Sequence, residues 1–221
     1  MDLASDSGAE WIALVRSSYN ACADAYNAQR TVEHRELDLF SSYLKEGSAI
    51  LDVGCGSGVP VTLRLSSRFC VTGVDISDRM IELAKAKVSK AEFVRANILD
   101  VDFAESSFDA IISFYALFHI PREDQPDLLR QFYKWMKPGG LIFVTYARGG
   151  YKVPGYTEDD FFGTRMYWSN FSFERFRELM SMSGFEELRA GVIGHGYEDM
   201  EGEPETTPYA FAKSTKRSEI K

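Results

Sequence analysis

The sequence predicts an α/β fold: a mostly parallel sheet with helices on both faces and an antiparallel strand near the C-terminus. Three observations carry this expectation. Short apolar runs alternate with helical patterns five times between Ser48 and Tyr146. The run FDAIISFYAL (108–117) is apolar almost throughout, as a strand covered on both faces requires. A hairpin-like pair of runs, Glu187 to Ile193 and Pro208 to Ala212, follows the last alternation. Repeated strand–helix–strand units demand a parallel sheet, because each crossover returns the chain across a face.

The elements follow in order. Residues 8 to 45 read as helical, because Trp11, Ile12, Leu14 and Val15, and later Leu37, Leu39, Phe40 and Leu44, recur at helical spacing. Between them SSYNACADAYNAQR (17–30), rich in small residues and carrying Tyr19 and Tyr26, reads as a helix break or a folded-over flap. SAILDV (48–53) is the first strand, followed by a helix from Pro60 to Ser67, with Pro60 suited to a first turn. FCVTGVD (69–75) is the second strand, and Ser77 caps a helix from Asp78 to Val88. AEFVRA (91–96) and FDAIISFYAL are the third and fourth strands. A helix from Arg122 to Met136 buries Leu128, Leu129, Phe132, Tyr133 and Met136, and Pro138-Gly139-Gly140 turns the chain into LIFVTY (141–146), the fifth strand. Residues 147–170 show no clean period and read as a lid-like insertion. A helix from Ser172 to Ser181 ends near Gly184, and an acidic loop from Tyr197 to Glu205 separates the two last strands.

Composition bounds the function. At 221 residues, with 45% hydrophobic and 26% charged, the chain can bury a core of its own, which excludes wholesale disorder and coiled coil. No second core or repeat is visible, so residues 1–221 read as a single domain with a helical cap over 1–45. A net charge of −8 disfavours nucleic acid as a partner. The three cysteines, Cys22, Cys55 and Cys70, form neither a metal pair nor a disulfide framework and fit a reducing, cytoplasmic setting. The longest nearly apolar run, Ala110 to Ile120, is too short to span a bilayer, and MDLASDSGAE lacks the start of a signal peptide. The expected state is therefore cytoplasmic, with no membrane partner. The oligomeric state is left open.

The most specific string is LDVGCGSG (51–58), three alternating glycines between a strand and a helix. Glycine there permits a tight turn and lets a ligand approach the backbone. Asp75 ends the second strand, where an acid can accept both hydroxyls of a ribose. Turn and acid together indicate a nucleoside-cofactor site. The dinucleotide fingerprint G-x-G-x-x-G is not met, since position 59 is Val, and no Lys-Ser/Thr follows the glycines as a phosphate loop needs. Asp52 beside the turn suits a cationic or amino-bearing ligand better than a pyrophosphate.

LDVGCGSG resembles the first motif of the class I S-adenosylmethionine-dependent methyltransferases of small-molecule type. VTGVDIS, FVRANILDVDF, SFDAIISFYALFHI and LLRQFYKWMKPGGLIFVT resemble the later motifs, in order. The resemblance is close over Ile50 to Leu141. It implies a Rossmann-like seven-stranded sheet, S-adenosyl-L-methionine as cofactor and in-line methyl transfer to a small-molecule acceptor. It further implies that Gly54, Cys55 and Gly56 line the methionine part, and that Asp52 steadies the turn and faces the ligand's amino group through the loop or water. Asp75 would bind the ribose; Ile76, Met80 and Ile98 would flank the adenine. Asn97 stands where many relatives carry Asp, and its carbonyl can still accept from the adenine amine. Phe114 and Tyr115 would border the sulfonium, and Tyr19 and Tyr26 would close over the methionine carboxylate.

The candidates for positioning or deprotonating the acceptor are His119, Tyr146 and Tyr26. His119, between an apolar strand and Pro121, also fits a hydrogen-bonded structural role. His34 and His195 read as incidental, and about half of the aromatics from Tyr151 to Phe173 as packing. The insertion 147–170 and the segment around Tyr19 to Tyr26 are expected to cover the acceptor. No HExxH motif or convincing acidic ligand set points to metal. The competing readings are a non-catalytic S-adenosylmethionine-binding regulatory protein and an NAD-dependent oxidoreductase.

Overall fold

A computed structural model describes residues 8–29, 36–147, 152–198 and 204–216. The central sheet contains β1 (Ala49–Val53), β2 (Cys70–Asp75), β3 (Glu92–Arg95), β4 (Phe108–Ser113), β5 (Met136–Thr145), β8 (Phe185–Glu198) and β9 (Pro204–Ser214). Their spatial order is β3-β2-β1-β4-β5-β9-β8. The first five strands are parallel, and β9 runs antiparallel to both β5 and β8. Strand order reverses between β1 and β4. In such sheets that reversal opens a crevice beyond the carboxyl ends of the strands.

Side-chain alternation along the strands assigns each face its own core. Leu51, Val53, Ile111, Ile142 and Val144 pack on one face with α5 (Gln125–Trp135) and α6 (Phe173–Met182). Ile50, Ala110, Ile112, Leu141 and Phe143 pack on the other with Leu37 and Phe40 of α2 (Glu36–Ser42) and Val61 and Leu65 of α3 (Val61–Leu65). The Ser77 hydroxyl accepts from Met80 N at the start of α4 (Asp78–Lys87). Among the described residues no helix is long and apolar enough to cross a membrane.

Four expectations are corrected. First, α1 (Gly8–Gln29) is one continuous helix through the small-residue segment. Small residues there let the helix lie close against its neighbours. Second, β4 stops at Ser113, because Tyr115 takes a left-handed backbone (φ 59°) and donates its N–H to Thr145 Oγ1 at 2.7 Å. A one-turn 3₁₀ helix, Leu117–His119, follows. Third, Pro138-Gly139-Gly140 lies inside β5 as an irregularity in its pairing with β4, with Gly139 at φ 70°.

Fourth, the insertion contains a hairpin, β6 (Tyr156–Phe161) and β7 (Thr164–Trp168), forming a separate two-stranded sheet. Its tip, Phe162-Gly163, has φ of 51° and 76°, the left-handed pair that matches strand twist in two-residue turns. The terminal strands are also longer than expected and take up much of the acidic loop, whose residues 199–203 lie outside the described residues. His34, Tyr151 and the His195 side chain lie outside them too.

Candidate functional site

A cleft opens at the carboxyl ends of β1, β2 and β4. Its floor and ends are Val53, Gly54, Gly56, Val74 to Ile76, Met80, Ala96 to Ile98, and Phe114 to Ala116 with His119 and Ile120. Its roof is α1, through Ile12, Val15, Tyr19 and Tyr26. Those roof positions are spaced by three, four and seven residues, one helical face.

The turn after β1 is made of left-handed glycines: Gly54, Gly56 and Gly58 have φ of 71°, 54° and 73°. Gly54 N and Cys55 N both donate to Val74 O, at 2.8 and 3.1 Å, which pins the turn to β2. A Cβ on Gly54 would sit 2.2 Å from Ala116 Cβ, so this position tolerates no side chain. A Cβ on Gly56 would meet nothing within 4 Å; its open side faces cleft space. Asp75 braces the same turn. Its Oδ2 accepts from Gly56 N at 2.9 Å and its Oδ1 from Ser77 N at 2.8 Å.

Two expected cofactor residues lie beneath the turn and do not line the cleft. Asp52 is 2% exposed and accepts from Thr62 Oγ1 at 2.5 Å, an anchor between β1 and α3. The Cys55 thiol is turned against β2, where a Cβ on Gly73 would come within 2.8 Å of its sulfur. Burial, then the Asp75 and Asp52 charges, push that thiol well up, so it stays protonated and inert.

At the far end Ile76, Met80 and Ile98 supply apolar walls and Asn97 the polar edge. Asn97 Oδ1 accepts from Leu99 N at 3.3 Å, and its Nδ2 donates to Asp100 Oδ2 at 3.1 Å. Those two bonds fix which way the amide points.

The hairpin contributes no lining residue among those described. It packs behind α1 instead. Trp11 stacks on Tyr167 at 4.7 Å with planes 6° apart, and the Ser18 hydroxyl donates to Arg165 O. Phe161 and Phe162 at the hairpin tip pack against the cleft tyrosines Tyr19 and Tyr26, so α1 is the roof of this cleft and the hairpin backs it.

His119 is 6% exposed and lines the cleft. Its Nδ1 lies 2.8 Å from Tyr167 O, a pure acceptor, so Nδ1 carries the proton. Nε2 then accepts from the Tyr19 hydroxyl at 2.8 Å. Burial pulls His119 down to about 4, which keeps the imidazole neutral at pH 7. Trp168 covers the ring at 4.6 Å. Tyr146, expected in the cleft, is not there. It is 0% exposed, stacks on Phe176 at 4.0 Å, donates to Gln125 Oε1 and accepts from Phe171 N. Burial raises its phenol further, and it serves packing.

Among the cleft residues, Ile12, Val15, Val53, Val74, Ala96, Ala116 and Ile120 were missed by sequence reasoning. For the first two the helical spacing with Tyr19 and Tyr26 was the available signal. Among the described residues no cluster of His, Cys, Asp and Glu could hold a metal.

With the geometry in place, comparison with known proteins is informative. Residues 50–140 match the family model described as "Methyltransferase domain". The chain is 33% identical over 153 residues to phosphoethanolamine N-methyltransferase 3 of Arabidopsis thaliana, covering 66% of this chain and 30% of that one. It thus spans under a third of that relative's length. Among solved structures, 1,6-didemethyltoxoflavin-N1-methyltransferase of Burkholderia thailandensis superposes with a TM-score of 0.74 at 17% identity, covering 98% and 94% of the two chains. A SAM-dependent methyltransferase of Methanosarcina mazei gives 0.69 at 22%, covering 81% and 98%. These two likenesses show a shared fold.

Proposed function

From the premise that residues 50–140 belong to the methyltransferase domain family, we propose that this protein transfers a methyl group from S-adenosylmethionine to a small-molecule acceptor. The observation that carries the reading is the Gly56–Asp75 pair: a glycine whose open side faces the cleft, held by a carboxylate at the end of β2, where an acid can bind a ribose. Ile76, Met80 and Ile98 would hold the adenine ring, with Asn97 at its amino edge. Phe114 and Tyr115 would border the sulfur, and Tyr19 and Tyr26 would roof the methionine. Asp52 and Cys55 support the turn from beneath.

The cofactor, when bound, supplies an activated methyl group. The chain's own work is to align the acceptor at about 3 to 3.5 Å and exclude water. An acceptor that must lose its proton meets the Tyr19–His119 pair, which can take that proton on the Tyr19 oxygen while the phenol proton moves to His119 Nε2. The relatives' names, phosphoethanolamine N-methyltransferase and 1,6-didemethyltoxoflavin-N1-methyltransferase, support small nitrogen compounds as the first acceptors to screen. A cytoplasmic location belongs to the same proposal, supported by three free cysteines.

Incubation with labelled S-adenosylmethionine and a library of small amines, phenols and thiols tests the reading. Label transfer to one acceptor class is expected. Calorimetry showing tighter NAD than S-adenosylhomocysteine binding would overturn it, and tight binding without any transfer would indicate a binding-only role.

A further inference from the structure

Tyr-Asn occurs twice in α1, at Tyr19-Asn20 and Tyr26-Asn27. Seven residues are close to two helical turns, so both tyrosines share one face and both asparagines the next. The tyrosine rings line the cleft and meet edge to face at 5.6 Å. The asparagines reach two different turns of the floor. Asn27 Oδ1 accepts from the Ser57 hydroxyl, in the glycine turn after β1. Asn20 Oδ1 accepts from the Ser77 hydroxyl, in the turn after β2, at 2.7 Å. Ser57 and Ser77 are 3% and 0% exposed, so each hydroxyl depends on its asparagine to accept its proton.

The remaining amide contacts orient both side chains. Asn27 Nδ2 donates to Ala23 O at 2.6 Å and to Met80 Sδ at 3.4 Å. Asn20 Nδ2 donates to Asp78 Oδ2 at 3.3 Å, while its Oδ1 also accepts from Arg79 N at 3.2 Å. Below, Asp75 links the same two turns through Gly56 N and Ser77 N. The two turns that border the cleft are thus held from beneath by one carboxylate and from above by one helix.

We propose that Asn20 and Asn27 are paired positioning residues that seat α1 across the cofactor and couple the seating of that roof to the shape of the turns gripping it. The proposal rests on the cofactor reading above. Neither side chain needs to touch the ligand; they act through Ser57, Ser77 and the neighbouring tyrosines. Linkage makes the coupling reciprocal: a ligand that fixes the turns steadies α1, and a seated α1 raises the affinity for that ligand by the same factor.

The test uses the full chain with S-adenosylhomocysteine as probe, followed by calorimetry and hydrogen exchange. N20A and N27A are each expected to weaken binding about fivefold to thirtyfold, the worth of one sheltered hydrogen bond. S57A, on a different element, should match N27A. The N27A/S57A double variant should lie within about twofold of N27A, because the bond that S57A removes is already lost there. Ligand-induced protection of residues 12–27 should appear in the natural chain and be lost in N20A and N27A, with sheet amides unchanged. Should N27A fail to fold, S57A carries the same readouts. Binding and α1 protection left within about twofold by N20A, N27A and S57A would overturn the clamp alone. No binding by the natural chain would overturn the cofactor reading and the clamp with it.

Discussion

The Tyr19 hydroxyl donates to Nε2 of His119 at 2.8 Å, joining α1 to the 3₁₀ turn that follows β4. The bond uses the last free nitrogen of a buried ring whose other nitrogen is held by Tyr167 O. His119 can therefore reach a substrate proton only through Tyr19. A tyrosine on the roof and a histidine on the wall thus act as one group.

That arrangement predicts a pH dependence of stability. In the fold His119 is lowered from 6.5 to about 4, so the folded chain resists protonation there while the unfolded chain accepts it. Stability is full above about pH 6.5 and declines as pH falls toward 4. The integrated loss is about 3 kcal/mol as an order of magnitude. Denaturant titrations at pH 7.5 and 4.5 should show a smaller difference for H119Q than for the natural chain. Equal differences would remove the assignment.

Y19F should keep the ring in the roof and remove only the hydroxyl. Affinity for S-adenosylhomocysteine is expected to stay within about threefold. The turnover number should fall at least tenfold for an acceptor that loses a proton, with little change in its KM. An unchanged turnover number at saturating acceptor would show that Tyr19 is a wall and nothing more.

D75A removes the expected ribose partner and two backbone bonds together. Binding of S-adenosylhomocysteine should weaken by about 1.5 to 3 kcal/mol, in the range of charge-assisted hydrogen bonds. D75N retains acceptor oxygen without charge and should lie between. Calorimetry on both variants decides the point, and undiminished affinity in D75A contradicts the role.

The two cleft glycines should respond oppositely to alanine. G54A drives a Cβ into Ala116 and should lower the unfolding free energy by several kcal/mol, roughly the scale of overpacking plus left-handed strain. G56A meets open space and should cost only about 1 to 2 kcal/mol of folding. It should instead reduce cofactor affinity, because the methyl group enters the cleft. Thermal unfolding and calorimetry on the same pair separate the effects; a G56A chain that binds normally contradicts the placement.

N97D keeps the oxygen that caps the following turn but replaces a donor to Asp100 with a second carboxylate. Asp100 is exposed, so water screens much of the repulsion. Affinity is expected within about tenfold of the natural chain, and N97D/D100N should recover part of any loss. A deficit beyond a hundredfold would mean that the Asn97 N–H₂ group itself is required.

Much of this architecture is legible in the sequence because periodicity reports burial. Ile50, Leu51 and Val53, and Ala110 to Ile112, are apolar since both faces are covered, and the glycines and Asp75 mark the turn chemically. The hairpin was not legible because YTEDDF is polar and largely exposed, with no core face to impose alternation. Tyr146 was misjudged for a related reason. Its position at the end of β5 places it near the crevice in sequence terms, but the Gln125 amide and the Phe176 ring draw it under the sheet end. Asp52 and Cys55 show the same limit: proximity in a turn does not say which side of the backbone a side chain takes.

Among the described residues the hairpin has no ladder to the central sheet. Its attachment runs through the Trp11–Tyr167 stack, the Ser18–Arg165 bond, Phe161 and Phe162 against Tyr19 and Tyr26, and the rings around His119. Its tip residue Gly163 has nothing within 4 Å of a notional side chain. By those ring contacts the hairpin is tied to the roof: replacing it would alter how firmly α1 sits, and through the coupling proposed above that change would reach the cofactor as well as the acceptor.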